Sequence, residues 1–107
     1  MNEIVAVSKK HHMAYASMKK KYTDLVQLHA SDLPKVNRAD FLIIWYCKNR
    51  RKDKDNITAG VKFILDGLVN AGVIENDGWA QVGNIFHMFK VDKENPRVEI
   101  EIRELRK

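Results

Sequence analysis

Three aspartates lie at positions from which they could bind a metal ion. Asp53 and Asp55 are two residues apart, and in an extended segment such residues point to the same side, about 6.6 Å apart. Asp77 lies where we expect a strand to begin, and a sheet can bring it beside the first pair. Carboxylate oxygens are the ligands that Mg²⁺ and Mn²⁺ prefer. The three acids are therefore candidates for a divalent-cation site.

The same acids also fit a purely structural role. Asp55 can cap a helix that starts at Asn56, because its carboxylate accepts the free amide hydrogens of a first turn. Asp53 can be a solvated charge, and Asp77 can form a turn with Gly78. Spacing alone leaves both interpretations open.

The first two acids lie at the end of the most charged stretch of the chain, residues 48–55. Basic side chains beside the acids can hold a phosphate that bare carboxylates would repel, and such contacts give salt-dependent affinity with little sequence preference. The whole chain has 19 Lys and Arg against 14 Asp and Glu, a net charge of +5, which favours an anionic partner. The candidate nucleic-acid-binding residues are Lys48, Arg50, Arg51 and Lys52.

Hydrophobic patterning predicts the elements that position these residues. A chain of 107 residues fits one domain, which we place at 1–107. The seven successive apolar residues at 41–47 predict a central strand covered on both faces. We expect an α+β fold, a single small domain with a mixed three- to four-stranded sheet and two helices packed on one face. The expected strands are at 4–7, 41–47, 79–91 and 97–103, and the expected helices at 11–30 and 56–71.

Composition excludes several classes of protein. No apolar run approaches the roughly 20 residues that cross a bilayer, so we expect no membrane role. The single cysteine, Cys47, excludes an intrachain disulfide and a cysteine-rich zinc site, and we expect it to be a buried thiol. Trp45 and Trp79 are expected in the core or at an interface, although Trp79, close to Asp77, is also placed to stack on a nucleic-acid base.

Three short motifs follow one another along the middle of the chain. The first pairs two aspartates before an asparagine, the second is a helix with a lysine and an aspartate four residues apart, and the third is a turn that ends in an acid. In order they are Lys52-Asp-Lys-Asp-Asn56, the helix carrying Lys62 and Asp66, and Gly72-Val-Ile-Glu-Asn-Asp77.

This order of motifs resembles the RusA family of Holliday junction resolvases, over residues 51–82 and more loosely through 96–105. The resemblance implies an endonuclease that binds four-way DNA junctions as a homodimer and cuts paired strands with Mg²⁺ or Mn²⁺. It implies a role in DNA recombination and repair, in the cytoplasm of a bacterium or phage-infected cell. It also implies metal-binding or catalytic roles for Asp53, Asp55 and Asp77, and a catalytic role for Lys62.

Two departures from the family pattern keep other functions open. Asn76 stands where the family has the first of two acids, and the gap before Lys62 is about one helical turn longer than in the best-known members. Lys62 and Asp66 also fit a simple surface ion pair on one helix face. The main alternative is therefore a non-catalytic DNA-binding module, a degenerate phage relative. A third is a basic interaction protein with no nucleic-acid role.

Overall fold

The computed structural model describes residues 2–8 and 15–105, with side chains from residue 22 onward. Within these ranges the chain forms four strands and three helices. In chain order they are β1 (Asn2–Ser8), α1 (Tyr15–Ala30), β2 (Ala39–Cys47), α2 (Lys54–Thr58), α3 (Val61–Asn70), β3 (Val82–Val91) and β4 (Arg97–Glu104).

The strands form one mixed sheet in the order β1-β4-β2-β3. Strand β4 is antiparallel to both β1 and β2, whereas β2 and β3 are parallel. The predicted α+β class with a mixed sheet is confirmed. Parallel neighbours need a crossover connection, and here residues 48–81, with α2 and α3, form it. This crossover contains every candidate site residue.

The hydrophobic core lies on one face of the sheet. Along β2, Phe41, Ile43 and Trp45 are buried, whereas the residues between them are partly exposed. The prediction that β2 is covered on both faces is wrong, because α1 and α3 pack on the same side of the sheet. The core side chains include Val26 and Ala30 from α1, Ile64, Leu65 and Leu68 from α3, and Val98, Ile100 and Ile102 from β4.

The two longer helices approach each other most closely at Gly67 of α3. A Cβ atom there would lie 2.5 Å from the Cβ of Val26 on α1, a distance at which atoms overlap. Glycine therefore lets α3 lie directly against α1.

The helix predicted at 56–71 is instead two helices, α2 and α3, separated at Ala59 and Gly60. A Cβ at Gly60 would lie 3.1 Å from the Trp45 ring, so the break lies over that indole. At the other end, α3 ends close to the expected bound at residue 71, and Gly72 follows it with a positive φ of 79°. The Gly72 and Val73 amides donate to the carbonyls of Val69 and Leu68, which is a Schellman motif.

No helix in the described part of the chain is long and apolar enough to span a membrane.

Candidate active site

Lys62, in the first turn of α3, is the centre of an ionic cluster with Asp66 and Asp77. Its ammonium nitrogen Nζ lies 2.7 Å from Oδ2 of Asp77 and 3.1 Å from Oδ1 of Asp66. Asp66 is one helical turn further along α3, whereas Asp77 comes from the loop after the helix. We call these three residues the Lys62 cluster; it lies at the surface, with 60% of the Lys62 side chain exposed.

The cluster fixes the charge states of its members. The hydrogen bond from Lys62 lowers the pKa of Asp77 below its ordinary value. The hydrogen bonds to Asp77 and then to Asp66 raise the pKa of Lys62. At neutral pH Lys62 is therefore a cation and Asp77 an anion. A permanently protonated lysine cannot act as a general base, but it can stabilise negative charge on a phosphate.

The loop at residues 71–81 delivers Asp77 to the cluster. Both its ends are held to residues 36–39, where β2 begins, because the amide of Val36 donates to the Val73 carbonyl (2.8 Å) and that of Ala39 to the Gln81 carbonyl (3.0 Å). Between these anchors the side chain of Asn76 accepts the Asp77 amide at 2.9 Å. The expectation that Asp77 begins a strand is wrong, since β3 begins only at Val82.

Asp53 and Asp55 lie at the start of α2, and both are exposed. Asp53 is the N-cap residue, with an extended backbone (φ −69°, ψ 151°) and no side-chain capping bond. Asp55 is already in the first turn, and its carboxylate accepts the amide of Asn56 at 2.9 Å. The helix thus begins at Lys54 and not at Asn56, so Asp53 takes the N-cap position considered for Asp55. The two acids do not form an extended pair.

The structure brings together only part of the candidate catalytic set, which consists of Asp53, Asp55, Lys62 and Asp77. The structure brings Lys62 and Asp77 together, and α2 places Asp53 and Asp55 directly before α3. Across residues 22–105, however, no three His, Cys, Asp or Glu side chains are grouped so that they could hold a metal ion. The acids supply the oxygen ligands of a hard cation, but Asp77 faces Lys62, so they do not form a ready-made metal site.

The basic residues before Asp53 form an exposed segment, residues 48–52, which we call the basic loop. The Asn49 side chain accepts the Arg51 amide at 3.0 Å, which bends the loop. Lys54, just beyond it, lies over the Phe89 ring with its Nζ 5.1 Å from the ring centre. Asp53 therefore lies between two cationic residues along the chain, Lys52 and Lys54. The exposed basic side chains of the loop are Lys48, Arg50, Arg51 and Lys52.

Comparison with known families identifies the chain. A family model described as endodeoxyribonuclease RusA matches residues 2–103. The chain belongs to the RusA family. The match covers nearly the whole chain, whereas the motifs recognised in the sequence cover about half of it. A search of curated proteins finds no match.

Membership of the RusA family indicates a nuclease. The two tryptophans of the chain differ in their exposure. Trp79, in the loop that carries Asp77, is 95% exposed, so it does not lie in the core, and a place at an interface stays a prediction. Trp45 is 2% exposed, which confirms a place in the core for that residue. Stacking of Trp79 on a nucleic-acid base stays a prediction.

His87, on β3, contacts the buried indole of Trp45. The Trp45 Nε1–H donates to its Nδ1 at 2.9 Å, and its ring is stacked between those of Trp45 and Phe89. Burial lowers the pKa of His87. The alternation of β3 could have shown this, because His87 shares a face with Ile85 and Phe89 and that face packs on the core.

Proposed function

We propose that this RusA-family protein is a metal-dependent, structure-selective endodeoxyribonuclease that resolves Holliday junctions by paired phosphodiester hydrolysis in DNA recombination and repair. One observation carries the proposal: the 2.7 Å contact between Lys62 and Asp77. It ties the loop with the third acid to the start of α3, and α2 with the first two acids comes immediately before α3. Family membership supports the same activity.

In this proposal Asp53, Asp55 and Asp77 would hold Mg²⁺ (or Mn²⁺). The ion, when bound, supplies an activated water and neutralises charge on the phosphate. Lys62 contributes a second, permanent positive charge, which we assign to the scissile phosphate. Asp66 keeps the Lys62 ammonium in position when Asp77 turns to another partner, because both carboxylates already contact the same nitrogen.

The DNA contacts follow from the surface around the acids. The exposed basic loop, with Lys48, Arg50, Arg51 and Lys52, would bind backbone phosphates of the junction arms. Trp79 would stack on a base near the cleavage point, since its ring is almost wholly exposed. A four-way junction presents two equivalent cleavage points, so a homodimer with two sites matches its symmetry.

The test is cleavage of a synthetic four-way junction by the Asp53→Asn and Asp55→Asn variants in Mg²⁺. Each variant should lose at least about 100-fold in cleavage rate, beyond the usual loss for a residue that only supports a ligand, and should still bind the junction. Asp32→Asn is the matched control, because it removes the same charge from another exposed position. Full activity in either Asp53→Asn or Asp55→Asn would defeat the assignment.

A non-catalytic DNA-binding module is the second candidate function. The observation that favours it is the absence of a grouped set of metal ligands within residues 22–105. It predicts salt-sensitive junction binding, no cutting in Mg²⁺ or Mn²⁺, and an electron paramagnetic resonance spectrum of Mn²⁺ unchanged by the protein. A broadened Mn²⁺ signal that Asp53→Asn restores would instead support the nuclease.

A further inference from the structure

Three ring-bearing side chains, Trp45, His87 and Phe89, lie side by side on the core face of β2 and β3. The centre of the His87 ring is 6.1 Å from that of Trp45 and 6.5 Å from that of Phe89, and both pairs of rings are stacked. We call these three residues the aromatic row. Its middle member is a histidine, a side chain that carries a hydrogen-bonding group as well as a ring.

The short helix α2 lies over the aromatic row. It has five residues, none of them buried, and isolated helices shorter than about 12 residues are marginal in water. Its position therefore depends on what it contacts. At its start the Lys54 ammonium is 5.1 Å from the centre of the Phe89 ring. Just past its end, Gly60 approaches the sheet so closely that a Cβ atom there would lie 3.1 Å from the Trp45 indole.

A hydrogen bond within the row fixes the Trp45 indole. Its Nε1–H donates to Nδ1 of His87 at 2.9 Å. A ring nitrogen that accepts carries no proton, so His87 is neutral and its proton is on Nε2. Burial lowers the pKa of His87 and favours this neutral form. Because Trp45 is 2% exposed, loss of the acceptor would leave a buried N–H group without that partner, which is destabilising.

We propose that His87 is a positioning residue of the nuclease, which holds the Trp45 indole beneath Gly60 and thereby fixes the position of α2. Asp53 and Asp55 lie at the start of this helix, so a shift of α2 moves both acids together. The inference rests on the proposed function, because it assigns His87 to the placing of two acids that are proposed to bind the metal ion.

Nitrogen-15 NMR of the wild type tests the hydrogen bond directly, without DNA or metal. At neutral pH, Nδ1 of His87 should resonate as an unprotonated ring nitrogen and Nε2 as a protonated one. A scalar coupling across the hydrogen bond should join Nδ1 to Nε1 of Trp45. A proton on Nδ1, or the absence of this coupling, would overturn the proposal.

Two crossed variants separate the hydrogen bond from the stacking of the rings. His87→Phe keeps a ring in the row and removes the acceptor. His87→Asn removes the ring and keeps an acceptor, because the asparagine Oδ1 occupies the place of Nδ1. His29→Asn is the matched control, since it replaces an exposed histidine on α1. Circular dichroism checks that all three variants fold.

Amide hydrogen exchange then reports on α2, again without DNA or metal. The Ile57 and Ala59 amides donate to carbonyls of this helix start, and the Ala71 amide donates within α3. In His87→Phe the first two should exchange about 10-fold faster, whereas Ala71 should be unchanged. His87→Asn and His29→Asn should exchange like the wild type. Unchanged exchange in His87→Phe, or a larger effect of His87→Asn than of His87→Phe, would overturn the proposal.

Junction cleavage in Mg²⁺ tests the link to activity. At saturating junction, His87→Phe should cut about 10- to 100-fold more slowly, because a displacement of about 1 Å in a catalytic group can cost 100-fold. Its Kd for the junction should stay the same, since the basic loop is intact, and His87→Asn should keep most of the rate. A weaker Kd with an unchanged rate would contradict the positioning role.

The outcome is separable from that of the proposed function. Cleavage that is lost in Asp53→Asn but kept in His87→Phe would preserve the nuclease and overturn the role of His87. Faster exchange in His87→Phe, together with full activity of Asp53→Asn, would preserve the effect of His87 on α2 and overturn the assignment of the acids.

Discussion

One ammonium group, that of Lys62, organises the candidate site at the scale of single residues. Both of its carboxylate partners are within 3.1 Å, and one of them, Asp77, reaches it from a separate loop. The sequence identified Lys62 and Asp66 as a pair on one helix face. It did not identify the contact with Asp77, because that contact depends on how the loop at residues 71–81 folds back.

Lys62→Met should raise the pKa of Asp77 toward its ordinary value, because the hydrogen bond from Lys62 is the largest cause of its lowering. A carboxylate with a lowered pKa stabilises the fold above its ordinary pKa, and this contribution disappears as the pH falls through the folded-state value. The stability difference between wild type and Lys62→Met should therefore shrink as the solution is acidified below pH 4. Carboxyl-carbon NMR titration measures the pKa, and chemical denaturation at several pH values measures the stability.

Lys62→Arg is the matched control, because it keeps a cation beside Asp77. The Asp77 pKa should stay low in that variant. If Lys62→Met leaves the titration of Asp77 unchanged, the contact does not exist in solution.

At the scale of elements, the packing of α3 on α1 positions the whole crossover. Gly67→Ala should lower the free energy of unfolding by about 1–3 kcal/mol, the usual cost of overpacking, because the new Cβ would overlap Val26. Gly78→Ala is the control, since the nearest atom to its Cβ would be 3.8 Å away. Urea denaturation measures both; equal stability of the two variants would show that α1 and α3 are less closely packed.

Helices and strands could be predicted from the sequence where a single hydrophobic periodicity dominates a segment. The apolar run at 41–47 predicted β2, and the strand expected at 97–103 is β4. The break between α2 and α3 was missed because it depends on Trp45, which lies beneath Gly60 and is distant in sequence. The exposure of Trp79 was left undecided for a related reason: composition favours burying an indole, and only the course of the loop leaves this one in solvent.

The candidate site could be predicted less completely than the helices and strands. Residue types and spacing pointed to Asp53, Asp55 and Asp77 without deciding their role, and the family resemblance added Lys62. The structure brings two members of this set, Lys62 and Asp77, into contact. Whether the three acids share a metal ion is still a prediction, since it depends on side-chain positions that no local pattern fixes.

At the scale of the whole molecule, an excess of five positive charges is combined with an exposed basic loop beside the acids. Such a surface binds DNA by releasing counterions, so the logarithm of affinity falls linearly with the logarithm of salt concentration.

Arg51→Ala should reduce the steepness of that line by about 0.9 for one lost phosphate contact on duplex arms. Lys93→Ala, at an exposed lysine in the loop between β3 and β4, should leave the slope unchanged. Fluorescence anisotropy of a labelled junction at several salt concentrations measures both. An equal slope for wild type and Arg51→Ala would remove Arg51 from the DNA interface.

The contrast between the two indoles gives the protein a built-in pair of optical reporters. Trp45, enclosed in the core and hydrogen-bonded to an imidazole, emits at shorter wavelength and follows the integrity of the fold. Trp79, in full contact with water, emits further to the red and is open to quenchers. Engagement of the loop and loss of the core therefore change different parts of one emission spectrum, and they can be followed together in an unlabelled sample.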